Sequence, residues 1–156
     1  MNTSIVSIKK DQDIRVLVKM VVEDDSLTPE YKTSGASGAY LRANEDCILQ
    51  PLERKLIKTG VRVGIPQGFE GQVRARSGLS AKKGLALVNG IGTIDSDYTG
   101  EILVSMINLS NEPQEIHKGD RIAQLVIVPI IQALFIPVKN LKDKERGEGG
   151  FGHTGV

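Results

Sequence analysis

Apolar residues fall along the chain in short, β-branched runs: Ile14 to Met20, Cys47 to Leu49, Leu56 to Ile57, Val61 to Ile65, Ile102 to Ile107, Ile122 to Val128 and Leu134 to Val138. Runs of this length and make-up predict strands. Turn-forming residues punctuate them closely, among them Gly60, Pro66 with Gly68, Gly100, Asn111 with Pro113, Gly119 and Pro129. That rhythm predicts an all-β antiparallel sandwich or barrel, because a βαβ arrangement needs helices between its strands. Only Ser77 to Lys83 fits a helix, a short one, with Ser77 placed to cap its start and Gly84 to end it. No fixed period repeats. From Lys139 to Val156 the chain becomes charged and then glycine-rich. Such a segment has no core of its own and reads as a solvated arm following a domain over 1–138.

A chain of 156 residues fits one domain, and at that size folding buries roughly 68–70% of the unfolded surface. The single cysteine, Cys47, leaves no internal disulfide and no cysteine metal cluster, which favours a reducing compartment. The opening MNTSIVSIKKDQD holds no apolar stretch of signal-peptide length, and no segment reaches the ~18 apolar residues of a membrane span. A cytoplasmic protein without membrane association is the expectation. Twenty Lys and Arg against 19 Asp and Glu give a formal charge of +1. Broad electrostatic capture of nucleic acid or anionic lipid is therefore not expected, and any phosphate must be held locally. Aromatics make up 4% with no Trp, which leaves few platforms for stacking a single nucleic-acid strand.

Several short motifs carry candidate chemistry. Gly147 to Gly152 satisfies GxGxxG, but only four residues follow it, so the helix of a dinucleotide fold has no room. Bare amides can still close around phosphate oxygens, and Arg146 and Phe151 add a guanidinium and a flat ring. Asp95-Ser-Asp97-Tyr-Thr-Gly100 imitates half a calcium loop, yet Met106 stands where a bidentate Glu is required. It reads either as a tight turn or as the source of a general base. Arg76-Ser77-Gly78 gathers a guanidinium, a hydroxyl and free amides, a plausible anion site or simply a capped helix start. Gly119-Asp120-Arg121 reads as a hairpin turn. Gln124 is a polar side chain inside an apolar run and must face a partner, water or a site. His117 and His153 lack metal-ligand spacing, and no HExxH, Walker or GxSxG pattern is present.

Taken in order, SGAYLRA (Ser37 to Ala43, followed by Asn44), ARSGLS (Ala75 to Ser80), NGIGTIDSDYTG (Asn89 to Gly100), GDRIAQL (Gly119 to Leu125) and RGEGGFGHTG (Arg146 to Gly155) resemble the five motifs of the trimeric dUTP pyrophosphatases, the dUTPases. The resemblance implies a jelly-roll-like β-barrel with one short helix, assembled as a homotrimer whose sites each draw on three chains. It implies hydrolysis of dUTP to dUMP and pyrophosphate, which keeps uracil out of DNA and supplies dUMP for thymidylate synthesis. Asp95 would activate the water that attacks the α-phosphorus, and Tyr98 would pack on the deoxyribose and exclude a 2′-hydroxyl. Asn89 with the backbone of Thr93 and Ile94 would read the uracil edge, and Leu103 would line the pocket. Arg76, Ser77, Gly78 and Gln124 would bind phosphate. The arm would close as a lid, with Arg146 on the γ-phosphate, Phe151 over the uracil and Gly152, His153 and Thr154 completing the cradle. Mg²⁺ would be held mainly by the triphosphate, with no direct protein ligand.

The first motif departs from the family pattern. Tyr40 stands where relatives carry Asp before Leu-Arg-Ala, and Ala75 stands where they usually carry Pro. Loss of that carboxylate implies weaker metal positioning and slower turnover, with the water-activating Asp95 intact. Two alternatives arise from the same residues: a non-catalytic nucleotide-binding or regulatory protein on this fold, and a relative of dCTP deaminase.

Overall fold

The computed structural model describes residues 15–142 together with 147 and 148. In chain order it contains β1 (Lys19–Val22), β2 (Ala39–Arg42), β3 (Cys47–Leu49), β4 (Arg54–Gly64), β5 (Phe69–Ala75), α1 (Ser77–Lys83), β6 (Leu85–Leu87), β7 (Ile91–Ile94), β8 (Glu101–Asn108), β9 (Gln114–Ile116) and β10 (Arg121–Pro129). Two four-stranded sheets have the orders β1-β4-β8-β6 and β2-β10-β5-β7, and β3 with β9 forms a two-stranded ribbon. All of these pairs are antiparallel, as the turn rhythm predicts. The expectation of a mostly β chain with one short helix holds.

Alternation is cleanest in β8, where Ile102, Val104, Met106 and Asn108 point inward and Leu103 points out. The inner faces of the two sheets share one core, joining Ile57 and Val61 of β4 and Ile102 of β8 to Val73 of β5 and Leu125 of β10. Burying each such side chain contributes roughly 1.5–3 kcal/mol. Asn108 is wholly buried among them and fully occupied. Its amide donates to the carbonyls of Leu49 at 3.0 Å and Glu112 at 2.7 Å, and its oxygen accepts from the N–H of Ser110 at 2.9 Å. It locks the β3–β9 ribbon to the end of β8.

Two bulges break the alternation, one in each of the four-stranded sheets. In β4 the register against β8 shifts between Lys58 and Arg62, and the N–H groups left over at Thr59 and Gly60 donate to Glu101 Oε1 at 3.1 and 2.8 Å. In β10 the register against β2 shifts between Arg121 and Ala123, so Arg121 faces Arg42, Ala123 faces Leu41 and Gln124 faces Tyr40.

The sequence pattern needs correction at both ends. Of the run Ile14 to Met20, the described residues pair only from Lys19, the first residue of β1. Leu134 to Val138, expected as a strand, makes no pairing: β10 ends at Pro129, and Leu134, Phe135 and Ile136 are 87%, 89% and 72% exposed. A strand requires a partner edge, and the chain's own sheets offer this segment none. Among the described residues, no helix is long and apolar enough to cross a membrane.

Candidate active site

The register of one sheet distributes most of the candidate residues. Tyr40 of β2 pairs with Gln124 of β10, Gln124 with Arg74 of β5, and Arg74 with Ile91 of β7. Paired residues share a face, so this row lies on the outer side, away from the core. Strict alternation would send Arg121 and Gln124 to opposite faces. The β10 bulge buries both Ile122 and Ala123 and thereby brings Arg121 out beside Gln124 and Tyr40. Gly38 makes room for the glutamine, since a Cβ there would stand 2.9 Å from the Cβ of Gln124.

At this end of the sheet, β5 runs into α1 through Arg76. The expectation that Ser77 caps the helix is corrected. Arg76 is the capping position, extended at φ −89° and ψ 122° with no side-chain cap, and Ser77 is already helical. A capping side chain must precede the helical backbone. The exposed Ser77 hydroxyl therefore spends no hydrogen bond on the helix. Gly84 ends α1 as predicted, in the left-handed region at φ 65°.

Arg76 and Arg121 both lie over the Tyr40 ring, 5.0 and 4.8 Å from its centroid. Nη1 of Arg76 donates to the carbonyl of Arg121, and Nε of Arg76 is buried without a partner. Arg42 looks elsewhere, donating to the carbonyl of Gly119 at 2.9 Å and pairing with Glu30 at 3.5 Å. The carboxyl of Glu30 is held below its ordinary range, first by the hydrogen bond from Lys32 and then by the charges of Lys32 and Arg42.

The second group gathers on β7 and the turn after it. Asn89 follows β6 in a tight turn, and its amide lies over Gly92, where a Cβ would meet Nδ2 at 3.3 Å. Thr93 and Ile94 follow on β7, opposite Gln72 and Gly71. Asp95 is exposed at the strand's end and opens a turn closed by the N–H of Tyr98 donating to its carbonyl at 3.1 Å. The turn reading of this segment and its exposed carboxylate coexist. A depression of about 690 Å³ beside it is lined by Asp95, Asp97, Glu70 and Ile130 among others. The Tyr98 hydroxyl donates to the carbonyl of Glu101 at 2.9 Å. Leu103, on the outer face of β8, is 40% exposed.

The two groups do not meet within one chain. Ile94 is paired with Gly71, and Arg76 lies beyond the far end of β5, about 17 Å away at the rise of a strand. Arg146, Phe151, Gly152, His153 and Thr154 lie outside the described residues.

Among the described residues, no group of three His, Cys, Asp or Glu stands together to hold a metal. Position 40, where the first motif of the family pattern has Asp, holds an aromatic ring facing two guanidiniums. These groups do not fit a dication held by the protein, since two cations and a neutral phenol offer it no anionic oxygen.

Comparison with known proteins points one way. The sequence profile of the family described as dUTPase matches residues 24–155. The deoxyuridine 5'-triphosphate nucleotidohydrolase of Nautilia profundicola is 53% identical over 134 residues, 86% of this chain and 94% of that protein. Its namesake from Zymomonas mobilis is 52% identical over 128 residues, 82% of this chain and 88% of that protein. Among solved structures, a mutant dUTPase of Staphylococcus bacteriophage 80alpha with dUpNHpp superimposes with a TM-score of 0.83 at 30% identity, covering 90% of this chain and 99% of that one. A mutant dUTPase of phage phi11 of S. aureus, described with a structural Mg(II) ion, gives a TM-score of 0.75 at 26% identity, over 82% of this chain and 100% of that one.

Proposed function

Because the chain belongs to the dUTPase family, we propose that it hydrolyses dUTP to dUMP and pyrophosphate, with Asp95 activating the attacking water. The reaction keeps uracil out of DNA and supplies dUMP for thymidylate synthesis. Asp95 accepts a proton from water as the water oxygen bonds to the α-phosphorus. The bond from that phosphorus to the bridging oxygen then breaks, and pyrophosphate leaves with the electron pair. An exposed carboxylate at a strand end, fixed by a turn but spending no side-chain bond, suits this work. Arg76, Ser77, Gly78 and Gln124 stabilise the charge that grows on the phosphate oxygens. Asn89, Thr93, Ile94 and Leu103 receive the uracil, and Tyr98 covers the deoxyribose. The arm, 139–156, closes through Arg146, Phe151, Gly152, His153 and Thr154 and excludes water. Magnesium enters as part of the substrate, on the triphosphate.

The separation of Asp95 from Arg76 along β5 supports a site shared between copies, because one triphosphate cannot span it within a single chain. The exposed apolar residues Ile131, Leu134, Phe135 and Ile136 support association as well, and the assembly is a homotrimer. Buried, unpaired Cys47 fits a reducing cytoplasm.

The single observation that carries the activity is the outward placement of Asp95 beside an open depression in a chain matched by the family over nearly its whole length. Incubation with dUTP and with dCTP tests it. Pyrophosphate from dUTP is the expected product. Ammonia from dCTP, or tight binding of a non-hydrolysable dUTP analogue without any pyrophosphate from dUTP, would overturn it.

A further inference from the structure

Arg76 and Arg121 form no ion pair among the described residues. Instead the two guanidiniums gather on the Tyr40 ring, and Nη1 of Arg76 donates to the backbone carbonyl of Arg121. The negative face of a ring attracts each cation, but two like charges brought to one ring still repel. Among the described residues neither guanidinium is paired with an anion, although Glu115 and Asp120 line the same depression as both. An aspartate at position 40 would supply that anion from the protein and cancel part of the positive field. Tyr40 orders the same two cations without cancelling them, and the buried, unpartnered Nε of Arg76 marks the cost of holding the pair so.

We propose that Tyr40 is a positioning residue whose ring holds Arg76 and Arg121 as a paired cationic clamp for the triphosphate, so that nucleotide binding relies less on magnesium than it would with aspartate at that position. The clamp rests on the dUTPase reading of the site for its ligand, though not for its geometry. Arg121 thereby joins the site through the β10 bulge.

Calorimetric binding to the full chain, first in EDTA and then with magnesium, tests this for the parent, Tyr40→Phe, Tyr40→Leu and Tyr40→Asp. Two probes are used: a non-hydrolysable dUTP analogue and inorganic triphosphate. Tyr40→Phe keeps the ring and retains most of the parent's affinity. Tyr40→Leu binds roughly five- to tenfold more weakly in EDTA, the range of a partly desolvated cation–ring contact. Tyr40→Asp weakens at least as far in EDTA and recovers when magnesium is added. The loss in Tyr40→Leu against retention in Tyr40→Phe reads the ring itself, and the metal dependence of Tyr40→Asp reads the carboxylate that replaces it. The clamp is overturned if Tyr40→Leu matches the parent in EDTA, if Tyr40→Phe falls as far as Tyr40→Leu, or if magnesium makes no difference to Tyr40→Asp. Should Tyr40→Leu fail to fold, the Phe and Asp variants decide. A parent that ignores the dUTP analogue but binds triphosphate in this order of variants keeps the clamp and loses the dUTPase reading; binding neither probe overturns both.

Discussion

The ring of Tyr98 folds back over Gly100 so closely that a Cβ at Gly100 would stand 2.5 Å from the phenol oxygen. That oxygen is tied to the carbonyl of Glu101, whose carboxylate holds the two spare amides of the β4 bulge. The Tyr98 ring is thus anchored to the core through one glutamate. Gly100→Ala is expected to push the ring aside and lower kcat/KM for dUTP by roughly ten- to a hundredfold. Discrimination against UTP should fall as well, and the ratio of kcat/KM for the two nucleotides measures it. An unchanged ratio would detach Tyr98 from sugar selection.

Asp95→Asn should lower turnover by about 10²- to 10⁴-fold, the span of a lost general base. The residue sits exposed at the end of β7, so the melting temperature should stay within a degree or two of the parent's. Pyrophosphate release and thermal melts check the two halves separately.

Complementation between defective subunits is expected from the β5 register. Asp95→Asn and Arg76→Ala chains, each nearly inactive alone, are unfolded together and reassembled in equal amounts. Sites that take an intact Asp95 from one copy and an intact Arg76 from another should restore about a quarter of the parent's turnover. Mixed assemblies that form but stay inactive would place both groups in one chain.

The strands that bury one face are legible because apolar residues recur at every second position, as in β8. Strands β5 and β7 are not, since Glu70, Gln72, Arg74 and Thr93 occupy their outer faces and leave no apolar run to notice. The outer face of β5 even carries its own ladder, from Arg74 to Gln72 to Glu70. Asp95, Tyr98 and Arg76 are readable from motif order. Arg121 is not, because its arrival beside Tyr40 depends on a register shift in β10, and a bulge leaves no spacing signal that alternation can reveal. Ser77 misleads for a local reason: serine before a helical run signals a cap, but the helix begins one residue earlier than that rule supposes.

Asn108→Leu should destabilise the fold by about 2–4 kcal/mol. It strands the carbonyls of Leu49 and Glu112 and the amide of Ser110 in or near the core. A shift of the denaturant midpoint without a change in slope is the expected signature.

Burial pushes the Cys47 thiol above its ordinary range, outweighing the opposing charge of Lys55. The unfolded thiol ionises first, so this contribution to stability is complete below about pH 8.5 and fades as pH rises toward the folded value. Denaturation midpoints from pH 7 to pH 10 should therefore decline more steeply for the parent than for Cys47→Ala. Parallel curves would show that Cys47 does not contribute.

Ile131, Leu134, Phe135 and Leu141 lie almost wholly in water on a lone subunit. A freshly synthesised copy consequently emerges adhesive, and its fate is a race between finding its own kind and clumping with strangers. Under the proposed trimeric assembly the outcome of that race turns on abundance: scarce subunits remain solitary for longer, while plentiful ones cover one another.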